Sequence, residues 1–330
     1  MLHPVTDRRV DKLIHLLVKN ATVVVPGPKI ASQIGVTRST VWMYIEKLRS
    51  LGVEIKGHHS SGYQLRTLPD ILAPSLIRTE LGENEIGHKI VHYFRIESTN
   101  DVALALAAQG AEHGTVVLAE EQTAGRGRFG RTWFSEKSSG IYVSVVLRPD
   151  LPPAAAPALT LLAGVAAHRA ITAAAGLAAD IRWPNDLLVN GKKVCGILTE
   201  MSAELGRLHY VVLGIGINVN QQTMPAEIES AATSLRLEGG RFYSRQQILV
   251  SLLKELDKYY RAFLDRGTEP IIRAWAEASS YAAGKKIRVH SRNGDFEAVT
   301  VGLASDGSLR IRRENGLEES LVAGEIAEVK

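Results

Sequence analysis

Hydrophobic periodicity changes character twice along these 330 residues, and each change fixes what that stretch can fold into. Residues 7 to 66 carry three short helical patterns and a hairpin. The first, Asp7 to about Lys19, places Val10, Leu13, Ile14, Leu17 and Val18 on one helical face. The second is Lys29 to Ile34, closed by Gly35, and the third runs from about Arg38 to Leu51, with Thr37 as N-cap and Gly52 as C-cap. In the third helix Val41, Ile45 and Leu48 face inward, leaving Arg38, Ser39, Thr40, Met43, Tyr44 and Lys47 outside. Val53 to Lys56 and Gly62 to Leu65 then alternate around a tip at 57–61, which predicts a wing. This is a winged helix-turn-helix, a shape used both for reading DNA and as a packing or dimerisation module.

A linker with Pro69 and Pro74 follows, and a mixed pattern runs from about Ile77 to Arg273. Strands are predicted at Lys89 to Ile96, Thr115 to Glu120, Ile141 to Leu147, Ile181 to Trp183, Leu187 to Val189, Lys193 to Met201 and His209 to Val219. Helices are predicted at Asn100 to Gln109, Ala155 to Ala175 and Arg245 to Leu264. Strands outnumber helices and several are joined by short turns, so a mixed sheet with helices on one face is expected. From Tyr281 onward the pattern alternates throughout, with turn signals at Asn293-Gly294, Asp306-Gly307 and Asn315-Gly316, which predicts a small closed β-barrel. The chain is therefore α+β in three domains, 1–66, 67–280 and 281–330.

Charge helps to separate the two uses of the first domain. Residues 1 to 66 hold ten Lys/Arg and four Asp/Glu, a net of +6 against +4 for the whole chain, so the other 264 residues are slightly acidic. A basic domain on a near-neutral body favours a polyanion partner, with Thr37, Arg38, Ser39, Thr40, Tyr44 and Lys47 as candidate DNA contacts. The single cysteine, Cys195, excludes an intramolecular disulfide and a zinc cluster of cysteines. The N-terminus lacks the uninterrupted apolar core of a secretory signal, and a cytoplasmic protein is expected. The alanine-rich stretch from 154 to 179 is broken by Pro157, His168 and Arg169, so no apolar run approaches the roughly 18 residues of a membrane span.

Chemistry concentrates in Gly125-Arg126-Gly127-Arg128-Phe129-Gly130-Arg131. The glycine spacing matches a dinucleotide fingerprint, but no helix follows to receive a pyrophosphate, and three arginines in seven residues suit a flexible cationic loop better. Such a loop, mobile when empty, could hold two anions together and shield a reactive product from water. Three further segments lie at strand ends. Ser98-Thr99-Asn100 opens a helix, where an ordinary N-cap is the simplest role. Arg182-Trp183-Pro184-Asn185-Asp186 forms a turn in which Asp186 could meet magnesium or a ribose. Lys192 and Lys193 precede a buried strand, where alternation sends one into a site and one to solvent, with Cys195 on the face of Lys193.

In order, these segments, with Gly214-Ile215-Gly216-Ile217-Asn218, resemble the bifunctional biotin-protein ligases that also repress biotin synthesis genes. The resemblance spans essentially the whole chain. It implies that biotin and MgATP give biotinyl-5'-adenylate, whose acyl group passes to a lysine of a biotin carboxyl carrier protein. It implies biotin contacts from Ser98, Thr99, Asn100, Gln122, Gly125, Arg126, Gly127, Arg128 and Lys193, with Arg126, Arg128 and Lys193 catalytic. ATP contacts would come from Arg131, Trp133, Asn185 and Asn218, and magnesium from Asp186. The family commonly has lysine where this chain has Arg182; a planar fork replaces a point charge there, which puts a direct role for that position in question. Operator DNA, a homodimer formed with the adenylate bound, and no membrane partner are the further implications. Two alternatives stand beside this reading: a lipoate-type ligase, and a regulator that senses a small acid without catalysis.

Overall fold

The computed structural model describes residues 8–329 except 22, 60, 68, 69, 292 and 293. Asp7 at the expected start of the first helix, Ser60 in the wing tip, Pro69 of the linker, Asn293 of the first turn signal and the terminal Lys330 lie outside the described residues.

Helices α1 (Arg8–Lys19), α2 (Gly27–Ile34) and α3 (Arg38–Ser50) enclose a core that includes Leu13, Leu17, Ile30, Ile45 and Leu48. The Thr37 hydroxyl caps α3 by accepting the Thr40 amide at 3.2 Å, and the C-cap is Leu51, one residue before the expected Gly52. Strands β1 (Ile55–His58) and β2 (Gly62–Leu65) pair antiparallel as the wing, the first starting two residues later than expected. Around Pro74 the chain is helix α4 (Pro74–Leu81) and not linker, because a proline in the first turn lacks only an N–H that the helix would leave unpaired anyway.

The central sheet has seven strands. In chain order they are β3 (Ile90–Tyr93), β4 (Val116–Ala119), β5 (Gly140–Leu147), β6 (Asp180–Arg182), β7 (Asp186–Val189), β8 (Lys192–Glu204) and β9 (Arg207–Asn218). Their spatial order is β3-β4-β5-β9-β8-β7-β6, parallel between β3 and β4 and antiparallel elsewhere. Helices cover both faces, which corrects the one-sided expectation. Because β4 and β5 are buried at every position, each face needs a cover. On one face α5 (Thr99–Ala108) packs Ala103 and Ala107 against Val117, Ala119, Val146 and Val212. On the other, α6 (Ala156–Ala175), α8 (Arg245–Arg266) and α9 (Glu269–Ala278) share the large core with the alternate residues of the same strands. A short α7 (Leu235–Gly239) follows β9.

The segment 153–175 is, by length and composition, apolar enough to cross a membrane, contrary to the expectation from its interruptions. It is the core helix of this layer, with Leu159, Leu161, Leu162, Val165 and most of its alanines buried and His168 Nδ1 2.7 Å from the Ala179 carbonyl oxygen. The C-terminal strands β10 (Lys286–His290), β11 (Phe296–Leu303), β12 (Leu309–Arg313), β13 (Glu318–Leu321) and β14 (Glu325–Glu328) form an antiparallel sheet ordered β13-β12-β11-β10-β14. No pairing joins the edge strands β13 and β14 among the described residues, so the expected small domain is present as a five-stranded antiparallel sheet whose closure into a barrel is not seen.

A buried ionic cluster fastens the linker to the central domain. Arg245 and Glu120 are both fully buried, with Nη1 2.8 Å from Glu120 Oε2, and Asp70 of the linker pairs with Arg245 Nε at 2.8 Å. Burial alone would raise the Glu120 carboxyl, but Arg245, the His92 ring and the Leu72 N–H outweigh it and hold it down to about 2. A depressed carboxylate contributes stability that is present above its ordinary value near 4.5 and is lost as pH falls through about 2. Denaturant midpoints should therefore drop between pH 4.5 and 2. Glu120→Gln should flatten that part of the acid limb while costing about 3 kcal/mol at neutral pH, because Arg245 loses a buried partner. An unchanged acid limb in Glu120→Gln would contradict this assignment.

Candidate active site

The face of β9 turned away from α6 is stepped. Val212 lies under α5, and Gly214 and Gly216 beyond it leave bare backbone. A Cβ on Gly214 would stand 2.1 Å from Asn100 Oδ1, and one on Gly216 2.4 Å from the Trp133 ring. On β8, a Cβ at Gly196 would come within 2.8 Å of the same ring. These glycines let Asn100 and Trp133 rest directly on the sheet, and the result is a narrow cleft between β8, β9, the start of α5 and the loop before β5.

At its inner end the cleft is polar and buried. Ser98 Oγ caps α5 by accepting the Asp101 amide, so the ordinary N-cap role is present, but its neighbours do more. The Thr99 amide and hydroxyl both donate to Gln122 Oε1, at 2.8 and 3.1 Å, and Gln122 Nε2 donates to Ser135 Oγ at 2.9 Å. Ser144 Oγ lies 2.6 Å from Asn100 Oδ1, and Asn100 Nδ2 donates to Glu200 Oε2 at 2.8 Å. At this end, donors and acceptors alternate on side chains that packing has already fixed.

At the outer end three cations from two segments, Arg126 and Arg128 of the arginine loop and Lys193 of β8, each face an internal acceptor. The arginine loop folds back on itself, with Trp133 N donating to the Gly125 carbonyl at 2.8 Å and Gly127 N to the Arg131 carbonyl at 2.7 Å. The turn is made by left-handed Phe129 and Gly130. Arg126 grips Glu200 with both terminal nitrogens, at 3.1 and 2.7 Å, and Asp101 at 2.6 Å. Arg128 donates to Asn185 Oδ1 at 2.9 Å and to the Gly324 carbonyl of the C-terminal sheet at 3.3 Å. Lys193 Nζ stands 2.6 Å from Asp186 Oδ1 and 5.4 Å from the centre of the Trp133 ring, whose Nε1 is shut from solvent with no hydrogen-bond partner among the described residues.

A bulge aims Lys193. Lys193 pairs with Leu188 but Cys195 with Leu187, so the strand gains a residue at this point and simple alternation fails. Lys193 consequently shares the cleft with Gly196, while Cys195 turns into the core, where burial pushes its thiol up; the two do not share the face that alternation predicts. Lys192 reaches outward to the Glu229 carbonyl. Asp186 is held between Lys193 and Arg182, the latter 2.7 Å away; burial alone would raise its carboxyl, and the two cations keep it below the usual range. In this arrangement both its oxygens face cations. Among the described residues no cluster of three or more His, Cys, Asp or Glu could cage a metal ion.

Of the sequence-predicted residues, Ser98, Thr99, Asn100, Gln122, Arg126, Gly127, Arg128, Trp133, Asn185 and Lys193 line the cleft, with buried Gly125 just behind. Arg131 lies outside it, paired with both oxygens of Glu325 at 2.7 Å, and Asn218 is buried off it with Nδ2 on the Thr233 carbonyl. Sequence reasoning missed Tyr142, Ser144, Glu200 and the glycines 196, 214 and 216 as site residues. A serine in the otherwise apolar β5 and alternate glycines in β9 were the available signals. On α3, Arg38 and Ser39 are exposed and the Thr37, Ser39 and Thr40 hydroxyls bond to one another. Tyr44 is half-buried, Lys47 Nζ lies 4.5 Å above the Phe94 ring of the central domain, and exposed Trp42, missing from the expected set, stands beside Met43.

Three family models match the chain: an HTH domain over residues 9–64, the biotin/lipoate A/B protein ligase family over 93–218, and a biotin protein ligase C-terminal domain over 283–327. The bifunctional ligase/repressor BirA of Bacillus spizizenii is 40% identical over 309 residues, covering 93% of this chain and 95% of that protein. The chain belongs to the bifunctional ligase/repressor family. The biotin--[acetyl-CoA-carboxylase] ligase of Mycobacterium tuberculosis is 38% identical over 214 residues, covering 63% of this chain and 76% of that protein. Among solved structures, the biotin protein ligase from Aquifex aeolicus in complex with biotin and ATP aligns with a TM-score of 0.63 and 28% identity, over 74% of this chain and 99% of that one.

In a ligase/repressor built this way the indole of Trp133 depends on the missing side chain of Gly216. Gly216→Ala should push the ring off the sheet, seen as a red shift in the emission removed by Trp133→Phe, with far-UV circular dichroism unchanged. Identical Trp133 emission in Gly216→Ala would contradict the packing described.

Proposed function

We propose that this cleft joins biotin to ATP, giving biotinyl-5'-adenylate and pyrophosphate, and then passes the biotinyl group to a lysine of a biotin carboxyl carrier protein. The observation that carries the reading is the convergence of Arg126, Arg128 and Lys193 on one cleft whose inner end is a fixed array of donors and acceptors. A ureido ring both donates and accepts, which Ser98, Thr99, Asn100 and Gln122 can match. Its carboxylate must then meet an α-phosphate. Two unit charges 4 Å apart repel by about 4 kcal/mol at an effective dielectric near 20, and fixed cations offset that repulsion.

In the first step a biotin carboxylate oxygen bonds to the α-phosphorus and the bond to pyrophosphate breaks. Lys193 is placed to touch both reacting groups, with Arg126 and Arg128 on the acyl and phosphate oxygens. Trp133 offers a flat face to adenine beside Asn185. Arg131 and Asn218 would contribute to ATP only after local rearrangement, since Arg131 pairs with Glu325 and Asn218 with the Thr233 carbonyl. Magnesium enters as part of MgATP, held by the phosphates. In the second step the carrier lysine amine attacks the carbonyl, AMP leaves, and the amine's proton is released.

The winged helix supplies the repressor half of the activity. Arg38, Ser39 and Thr40 are placed to read operator DNA, and the adenylate favours a homodimer that presents two recognition helices to an inverted repeat. The dimer surface then competes with the carrier protein. The reducing cytoplasm suits both tasks.

Lys193→Ala and Arg126→Ala should each lower biotin-dependent pyrophosphate exchange about 100-fold or more with far-UV circular dichroism unchanged. A carrier domain incubated with the wild-type protein, ATP and biotin should gain one biotinyl mass in mass spectrometry. Transfer of lipoate in place of biotin would establish the lipoate-type alternative, and pyrophosphate release with neither acid would leave only a sensor.

A further inference from the structure

The segment that brings Gln122, Arg126, Arg128 and Trp133 to the cleft hangs between the end of β4 and the start of β5, and one arginine from α8 holds both ends. Arg245 is fully buried. Its Nη1 donates to Glu120 Oε2 at 2.8 Å and to the Gly140 carbonyl at 3.1 Å. The neck is closed further by the Ser138 amide on the Glu120 carbonyl at 2.8 Å.

The other edge of the same guanidinium faces the linker to the winged helix. Nε donates to Asp70 Oδ2 at 2.8 Å, Nη2 donates to the Asp70 carbonyl, and the Arg245 amide bonds Asp70 Oδ1 at 2.9 Å. Glu120 repeats the connection from its side, since its Oε1 accepts the Leu72 amide at 2.8 Å. Immediately beyond β3, Phe94 underlies Lys47 of the recognition helix, and Lys137 inside the cleft segment donates to the Ser50 carbonyl at the end of that helix. A well-packed apolar side chain could fill such a position at no loss of stability. Only a planar fork can bind two ends of one segment and a linker at once.

We infer that Arg245 is a positioning residue that makes the cleft segment and the linker one mechanical unit, so that ordering of the segment by bound ligand is transmitted to the mounting of the DNA-binding domain. The inference deepens the ligase/repressor reading proposed above, and its first test does not depend on that reading.

That test is hydrogen exchange on the full chain without ligand. Asp70→Asn keeps the side-chain shape and leaves the Arg245–Glu120 pair in place, and Arg245→Lys keeps the charge but removes the fork. Each should raise exchange several-fold in peptides covering 70–77 and 121–139 together, with α6 unchanged. Faster exchange at 70–77 alone would overturn the inference, and faster exchange throughout α6 in Arg245→Lys would mark general unfolding and leave the decision to Asp70→Asn. With biotin and ATP added, the wild type should gain protection in both regions, and Asp70→Asn in 121–139 only. Linker protection undiminished in Asp70→Asn would again overturn it. Absence of protection at 121–139 in the wild type would sink the ligase reading instead, with the ligand-free comparison still deciding the role of Arg245.

Discussion

A lysine beside a tryptophan ring in a narrow cleft stands 2.6 Å from a carboxylate, and the Lys193–Asp186 pair sets the terms for the rest of the site. Partly desolvated cations without counter-ions would repel one another and strain the fold. The chain solves this locally for each cation in turn: Arg182 shares Asp186, Arg126 has Glu200 and Asp101, and Arg131 has Glu325. An incoming carboxylate and phosphate therefore replace internal acceptors and do not approach bare charge. In that exchange the cations lose little solvation, and the protein has already supplied most of the reorganisation that reaction in water would require.

The same logic ties the three domains together. Arg128 and Arg131 of the cleft loop reach Gly324 and Glu325 in the C-terminal sheet, and Trp183 Nε1 donates to the Gly307 carbonyl there. On the opposite side Asp70 and Leu72 of the linker end on Arg245 and Glu120, and Asp11 of α1 accepts from the amide and hydroxyl of Ser75. The cleft loop is thus anchored by polar contacts with neighbours on each side.

Legibility in the sequence followed the physics of each element. The strands β4, β5 and β9 and the three helices of the N-terminal domain were readable because long apolar periods leave few alternatives. One proline hid a helix, since Pro74 read as linker although it sits in a first turn. Closure of the C-terminal sheet was not legible, because alternation specifies strands and not which edges pair. Within the site, the residues grouped by motif meet in the cleft except Arg131 and Asn218, whereas Glu200, Ser144 and the glycine steps were missed because their importance lies in cross-strand register. Cys195 was assigned the wrong face for a related reason: a one-residue bulge leaves no mark in composition. Arg245 carried no signal at all, as its partners lie 105 to 175 positions away in the chain.

The account rests on ligand anions taking the places of internal carboxylates, and a crystal structure with a non-hydrolysable biotinyl-adenylate analogue tests that directly. Lys193 Nζ and the Arg126 and Arg128 guanidinium groups should lie within hydrogen-bond distance of the analogue's acyl and phosphate oxygens, with the Arg126–Glu200 contact opened. An analogue bound in this cleft while Lys193 stays on Asp186 and Arg126 on Glu200, none of them touching it, would contradict the account.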